Sequence, residues 1–188
     1  MTRQEIGAER STILSWRESG LLFADDPQQS GLQYLRGLAS GEVLPPPVAQ
    51  VLGIAVETAE PGRVRFTMPV PGFLANHLGV LAGGILSTVI DAALGCAVLS
   101  AVTAEQDIVT LDLGVDFLRP VPAPGGPVTV DAEVVHLGRN RGLATCRALD
   151  EDLRLCAVAR STCLIRRKSR PAPADSPLPE EPGSGTNR

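Results

Sequence analysis

Between Leu78 and Val102 every position is apolar or small except Ser87, Thr88, Asp91 and Ser100. The run predicts a helix from about Gly83 that is apolar on nearly every side, and such a helix must be surrounded. Its length alone would also let it cross a bilayer. Against that, it is rich in Gly and Ala, has no Trp, Tyr, Lys or Arg at its ends, and holds Asp91 mid-span, where insertion costs roughly 2.5 to 3.5 kcal/mol. We therefore read it as a buried core helix and not as a membrane span.

Strand patterns flank the helix. Two strand-like runs, Val51 to Thr58 and Arg63 to Val70, are joined by the turn signal Glu60-Pro61-Gly62 and predict a hairpin. After the helix, Val109, Leu111, Leu113, Val115 and Phe117 alternate with Thr110, Asp112, Gly114 and Asp116, the period of a strand with one buried face. By that alternation Asp112 and Asp116 share a face with Thr110. Val128 to His136, Leu143 to Leu149 and Leu153 to Ile165, divided by Gly138 to Gly142 and Asp150 to Asp152, predict an antiparallel meander. The fold class is α+β: about six antiparallel strands curled around one long central helix. A single sheet leaves a face uncovered, so an oligomer is expected.

The ends of the chain read differently. Residues 1–47 predict an N-terminal helical extension, one or two amphipathic helices with Ile13, Leu14, Leu32, Leu35 and Leu38 as apolar positions, stopped by Pro45-Pro46-Pro47. Residues 48–168 form the domain proper. Residues 169–188 carry five of the sixteen prolines and no aromatic residue, and are expected to be disordered because they cannot bury enough apolar surface.

Composition narrows the function. There are 17 Lys and Arg against 21 Asp and Glu, a formal charge of −4, which argues against a nucleic-acid binder that relies on neutralising phosphates. The only dense basic run, Arg166, Arg167, Lys168 and Arg170, abuts the Pro-rich tail and reads as a solvated domain end. Cys96, Cys146, Cys156 and Cys163 are 50, 10 and 7 residues apart, which matches no paired metal-ligand spacing, so no metal is expected. The polar N-terminus lacks the apolar core of a signal peptide, so a cytoplasmic location with reduced thiols is expected.

Asp91 is the sole formally charged residue between Arg65 and Glu105. A carboxylate among Val89, Ile90, Ala92, Ala93 and Leu94 is desolvated unless paired, and acids in such settings concentrate at functional sites. A structural Asp bonded to a neighbouring strand or subunit would show the same isolation, and both readings stand. Upstream, Asn76-His77-Leu78-Gly79-Val80-Leu81-Ala82-Gly83-Gly84 brings two glycines into a helix start. Their unblocked N–H groups and the helix dipole can hold an oxyanion, or the glycines simply permit a tight turn.

Taken together these pieces resemble the hotdog-fold acyl-CoA thioesterases of the phenylacetate-degradation (PaaI-like) type, within the 4-hydroxybenzoyl-CoA thioesterase superfamily. That family places an Asn, six residues later a His-Gly-Gly helix start, and an Asp nine residues after the His. Asn76, Ala82-Gly83-Gly84 and Asp91 keep both spacings, and Thr110 to Pro120 is similar to the family's strand after the helix. Ala82 stands where the family usually has His, so backbone donation survives while positioning by an imidazole is lost. His77 is a candidate replacement.

The resemblance implies hydrolysis of an acyl-CoA or acyl-carrier-protein thioester. Asp91 would attack the thioester carbon or activate a water, and Gly83 N–H would steady the oxyanion. Asn76 would orient the water or carbonyl, while Thr110 holds that water or Asp91. His77, Ala82 and Gly84 would border the substrate, and Arg119, Arg139 and Arg141 are candidates for the phosphates of coenzyme A. No cofactor is implied, since coenzyme A is part of the substrate. Eight residues on one helix put Gly83 and Asp91 roughly 12 Å apart, so one chain cannot present both to one carbonyl. The resemblance resolves this with sites at a subunit interface, in a homodimer at least and by preference a homotetramer.

Asp131 and His136 show the Asp-x4-His spacing of hotdog hydratases. In an alternating strand, five residues apart means opposite faces, so this reading is set aside. No Gly-x-Ser-x-Gly elbow or Gly-x4-Gly-Lys loop is present. The rival of a different class is a non-catalytic acyl-thioester-binding hotdog protein, favoured by Ala82.

Overall fold

The structure, a computed structural model, describes residues 9–17 and 28–168; the expected Pro-rich tail lies outside the described residues. Helix α1 spans Gly31–Ser40 and α2 Pro47–Leu52. Strands β1 (Ala55–Glu60) and β2 (Arg63–Val70) precede a short 3-10 turn at Gly72–Leu74 and the long helix α3 at Gly83–Ala101. Strands β3 (Gln106–Phe117), β4 (Gly125–Leu137), β5 (Arg141–Leu149) and β6 (Leu155–Arg167) complete the chain. The six strands form one antiparallel sheet in the order β1-β2-β4-β5-β6-β3, the hotdog arrangement, with α3 against its inner face.

Alternation explains the wrap. On β2 the inward positions Val64, Phe66, Met68 and Val70 are buried, and on β4 Val128, Val130 and Ala132. They meet Leu86, Val89, Ile90, Ala93, Leu94, Ala97 and Val98 of α3, all buried. α3 is the one helix among the described residues long and apolar enough to cross a membrane; here its apolar surface is taken up by the sheet. Gly142 lets β5 lie close to it, since a Cβ there would stand 2.5 Å from Val98. Ser100 ties the helix end to the first hairpin, accepting from Gly62 N–H at 2.8 Å and donating to the Ala97 carbonyl at 2.7 Å.

Several expectations need correction. Pro45-Pro46-Pro47 stops no helix: α1 has already ended at Ser40 with Gly41 as a left-handed C-cap, and Pro46 is an extended N-cap while Pro47 opens α2, because the first helical position needs no N–H. Val51 and Leu52 therefore belong to α2, and β1 starts at Ala55. Leu153 lies in the turn before β6, with φ 60°. Ile13 and Leu14 sit in a segment without helical structure, tied down where Arg17 N–H donates to Gln50 Oε1 at 2.8 Å and Gln50 Nε2 donates to the Arg17 carbonyl at 2.9 Å. α1 has a capping box between Ser30 and Gln33, and its Leu35 is fully buried in the core.

Candidate active site

The segment before α3 is a closed loop. Asn76 Oδ1 accepts from the N–H of Leu78 at 2.8 Å and of Val80 at 3.4 Å, and Asn76 N–H donates to the Val80 carbonyl at 2.8 Å. Gly79 turns the chain with φ +72°, where a side chain is unfavourable. A bridge pairs Ala75 with Leu81, and a second pairs Val80 with Pro122. Asn76 and the first turn of α3 thus belong to one braced unit, with the exposed His77 at its outer side. Ala82 is the N-cap of α3 and supplies no side-chain cap. The Gly83 and Gly84 N–H groups begin the helix as orphan donors at the positive end of its dipole.

Asp91 lies half-buried two turns further along α3. Thr110 Oγ1 donates to Asp91 Oδ1 at 3.0 Å, which leaves Oδ2 for other work. Strict alternation would have turned Thr110 away from the helix together with Asp112 and Asp116. The ladder shows why it does not: Thr110 pairs with Cys163 and Asp112 with Thr162, so Leu111 is an extra residue, a β-bulge. Before the bulge Ile108 and Thr110 face α3; after it Leu113, Val115 and Phe117 do. Asp112 and Asp116 consequently lie on the face opposite Thr110, a correction to the regular pattern.

Two thiols border this pair. Burial first, then the Asp91 charge and Cys163, push the Cys96 thiol up to about 12. Burial likewise raises Cys163, with hydrogen bonds from Ser161 and Thr110 opposing it. Both remain neutral near pH 7, so the carboxylate is flanked by uncharged groups. Among the described residues no cluster of three His, Cys, Asp or Glu side chains converges as metal ligands.

Not all candidate residues come together. Gly83 and Asp91 are eight residues apart on one continuous helix, roughly 12 Å along its axis, so within one chain they do not meet. Arg119 N–H donates to Cys156 at the start of β6, whereas Arg141 is opposite Leu164 near its end. Arg119 and the Arg139–Arg141 turn are therefore roughly 26 Å apart along the strand; all three are exposed. Asp131 and His136 need a further correction. A second bulge, between Val134 and His136, brings them to the same face, not opposite ones. Four ladder steps still separate them by about 13 Å, and Asp131 is held by Arg65 at 2.6 and 2.9 Å. They do not form a dyad.

Sequence reasoning passed over Ser161, a fully buried hydroxyl that donates to the Asp112 carbonyl at 2.8 Å. A signal was available: a lone hydroxyl among the inward residues Ala157, Ala159, Cys163 and Ile165 of β6.

The Thioesterase superfamily model matches residues 78–157, which contain the helix start, Asp91 and Thr110. A Halobacterium salinarum protein named as an esterase is 40% identical over 98 residues; that match covers 50% of this chain and 63% of the relative's length. The crystal structure of a thioesterase family protein from Silicibacter pomeroyi is 33% identical with TM-score 0.64, covering 73% of this chain and 99% of that one. A phenylacetic acid degradation-related protein of Ralstonia eutropha is 26% identical with TM-score 0.63, covering 70% of this chain and 98% of that one. With this fold and these matches, the chain belongs to the thioesterase superfamily.

Proposed function

We propose that this protein hydrolyses acyl-CoA or acyl-carrier-protein thioesters in the cytoplasm, at sites built from two copies of the chain. Gly83 and Asn76 of one copy face Asp91 and Thr110 of the other. The observation that carries this reading is the Thr110–Asp91 hydrogen bond of 3.0 Å, set roughly a 12 Å helix span from the glycine donors. Each half is held by its own hydrogen bonds and lacks the groups of the other. Edge strand β3 favours the pairing of copies: it is 12 residues long and exposes Val109, Leu111, Leu113 and Phe117 beside unpaired backbone groups. The dimer would be the smallest active unit, with a tetramer as an assembly of two.

In this mechanism the thioester oxygen accepts from Gly83 N–H and Asn76 Nδ2, which stabilise the charge that develops on it. Asp91 Oδ2 takes a proton from water as its oxygen bonds to the carbonyl carbon. Collapse of the tetrahedral intermediate breaks the C–S bond, and the proton passes from Asp91 to the departing thiolate, giving acid and thiol. Direct attack by Asp91, through a mixed anhydride that water then cleaves, uses the same placement. Gly84, Ala82 and His77 border the entry. Arg119 and the pair Arg139 and Arg141 are alternative holds for the phosphates of coenzyme A, because their separation prevents one chain from using both on one phosphate. No cofactor is required, as coenzyme A arrives within the substrate.

Steady-state hydrolysis of acyl-CoAs from phenylacetyl to palmitoyl tests this, with a readout insensitive to the protein's own four thiols. Turnover by the wild type and a fall of about 10² to 10⁴-fold in Asp91→Asn are expected. Acyl-CoA binding without turnover, unchanged in Asp91→Asn, would instead establish a binding protein.

A further inference from the structure

We propose that Asp112 and Ser161 are positioning residues, which hold the β-bulge at Leu111 and so keep Thr110 turned onto Asp91. The inference rests on the reading of Asp91 given above and adds the device that aims its partner. A bulge re-aims side chains at the cost of local ladder pairing, so something must favour it over the regular register. Here three consecutive residues of β6 grip Asp112, immediately after the extra residue. Ser161 Oγ donates to the Asp112 carbonyl at 2.8 Å, Thr162 N–H donates to Asp112 Oδ1 at 3.1 Å, and Arg160 Nη1 stands 3.7 Å from the same oxygen.

Ser161 is fully buried. A hydroxyl there is costly unless bonded, and the acceptor it uses is the backbone just past the bulge. Without this grip, the relaxed register pairs successive residues of β3 and β6 one for one. Thr110 and Asp112 then fall on one face, and Thr110 leaves Asp91. Neither Asp112 nor Ser161 contacts Asp91 in the hydrogen-bond network; their effect passes through Thr110.

The test measures kcat and KM for Asp112→Ala, Asp112→Asn and Ser161→Ala, each in the wild-type and Thr110→Ala backgrounds. Asp112→Ala and Ser161→Ala are expected to lower kcat about tenfold, the scale of one hydrogen bond to a charged group, with KM little changed. Asp112→Asn keeps the acceptor for Thr162 and is expected to retain kcat within about twofold. In the Thr110→Ala background the same substitutions should add nothing, because the contact they serve is already gone. Unchanged kcat in both alanine variants, or losses that multiply with that of Thr110→Ala, would overturn the proposal. Asp112 is half-exposed, so its alanine and asparagine variants carry the test alone if Ser161→Ala fails to fold. Full activity in Asp91→Asn would instead refute the underlying reading of the site, which keeps the two failures apart.

Discussion

Two turns in this molecule are closed in the same way with different side chains. Asn76 Oδ1 accepts from the N–H groups two and four residues on, those of Leu78 and Val80. Asp150 Oδ1 accepts from Asp152 and Arg154 N–H, again two and four residues on, at 3.0 and 2.9 Å. At Asp150 the charge is compensated: Arg154 Nε meets Oδ2 at 2.8 Å. Burial would raise this carboxyl, but the N–H groups and guanidinium of Arg154, with Asp152 N–H, outweigh it and hold the pKa below its ordinary 3.8. At Asn76 no cation is supplied, and the turn is closed by a neutral amide whose Nδ2 has no protein acceptor among the described residues. The difference separates what closes a turn from what a site needs. Either side chain closes the loop, but only the amide adds a donor and no negative charge, as the proposed oxyanion position requires.

Substitutions can sharpen that contrast. Asn76→Asp keeps the Oδ1 acceptor and so the loop, yet should lower kcat about 10² to 10³-fold, the cost of losing an oxyanion donor, with Tm nearly unchanged by calorimetry. A comparable loss of Tm would mean that Asn76 serves the loop alone. The next effect concerns the two sheet edges. β1 is six residues long and its exposed positions include Glu57, Thr58 and Glu60, whereas β3 exposes apolar side chains on both of its faces, Val109 on one and Leu113 and Phe117 on the other. Val109→Lys on β3 should yield monomers by light scattering and reduce turnover at least about tenfold at low enzyme concentration, while Thr58→Lys on β1 leaves the mass unaltered. Thr110→Ala should then cost about tenfold in kcat.

Asp150→Asn should be the mildest, lowering Tm slightly at pH 7 and leaving turnover intact. The sign follows from the lowered pKa: the ionised carboxylate contributes fully above 3.8 and loses that contribution as pH falls below it. The Tm gap between wild type and variant should therefore close on acidification below that point. A gap that widens would contradict the assignment.

Patterns set by neighbours in sequence were the legible ones. β2 was readable to the residue, and the start of α3 at Gly83 followed from where the apolar run meets the double glycine. Asp91 stood out through charge isolation, and its link to Thr110 through a resemblance. What local pattern could not give was face. Leu111 is an ordinary apolar residue in an alternating run, and nothing near it marks the place where the period slips. The slip is specified some fifty residues away, by Ser161 and its neighbours on β6, and becomes readable only once β3 and β6 are known to pair. The same gap hid the bulge after Val134, which brought Asp131 and His136 to one face. Prolines misled for a related reason: Pro47 starts α2 while Gly41 has already capped α1, and a proline's sequence context alone favours neither a stop nor a start.

The claim that each active site takes its donors from one copy and its carboxylate from another is tested most directly by mixing two disabled variants. Gly83→Pro removes the proposed N–H donor at a position suited to proline, since Ala82 before it is extended (ψ 131°) and Gly83 is the first helical residue. The nearest atom to a new Cβ is Phe117 Cζ at 3.2 Å, on a side chain exposed enough to swing aside. Asp91→Asn disables the other half. Unfolded together and refolded, the two should form mixed dimers with one doubly damaged site and one intact site, and turnover should recover to about a quarter of wild type. Recovery at that level is the predicted result; turnover that stays at the level of the separate variants, with mixed dimers verified by mass, would place the whole site within one chain and contradict the account.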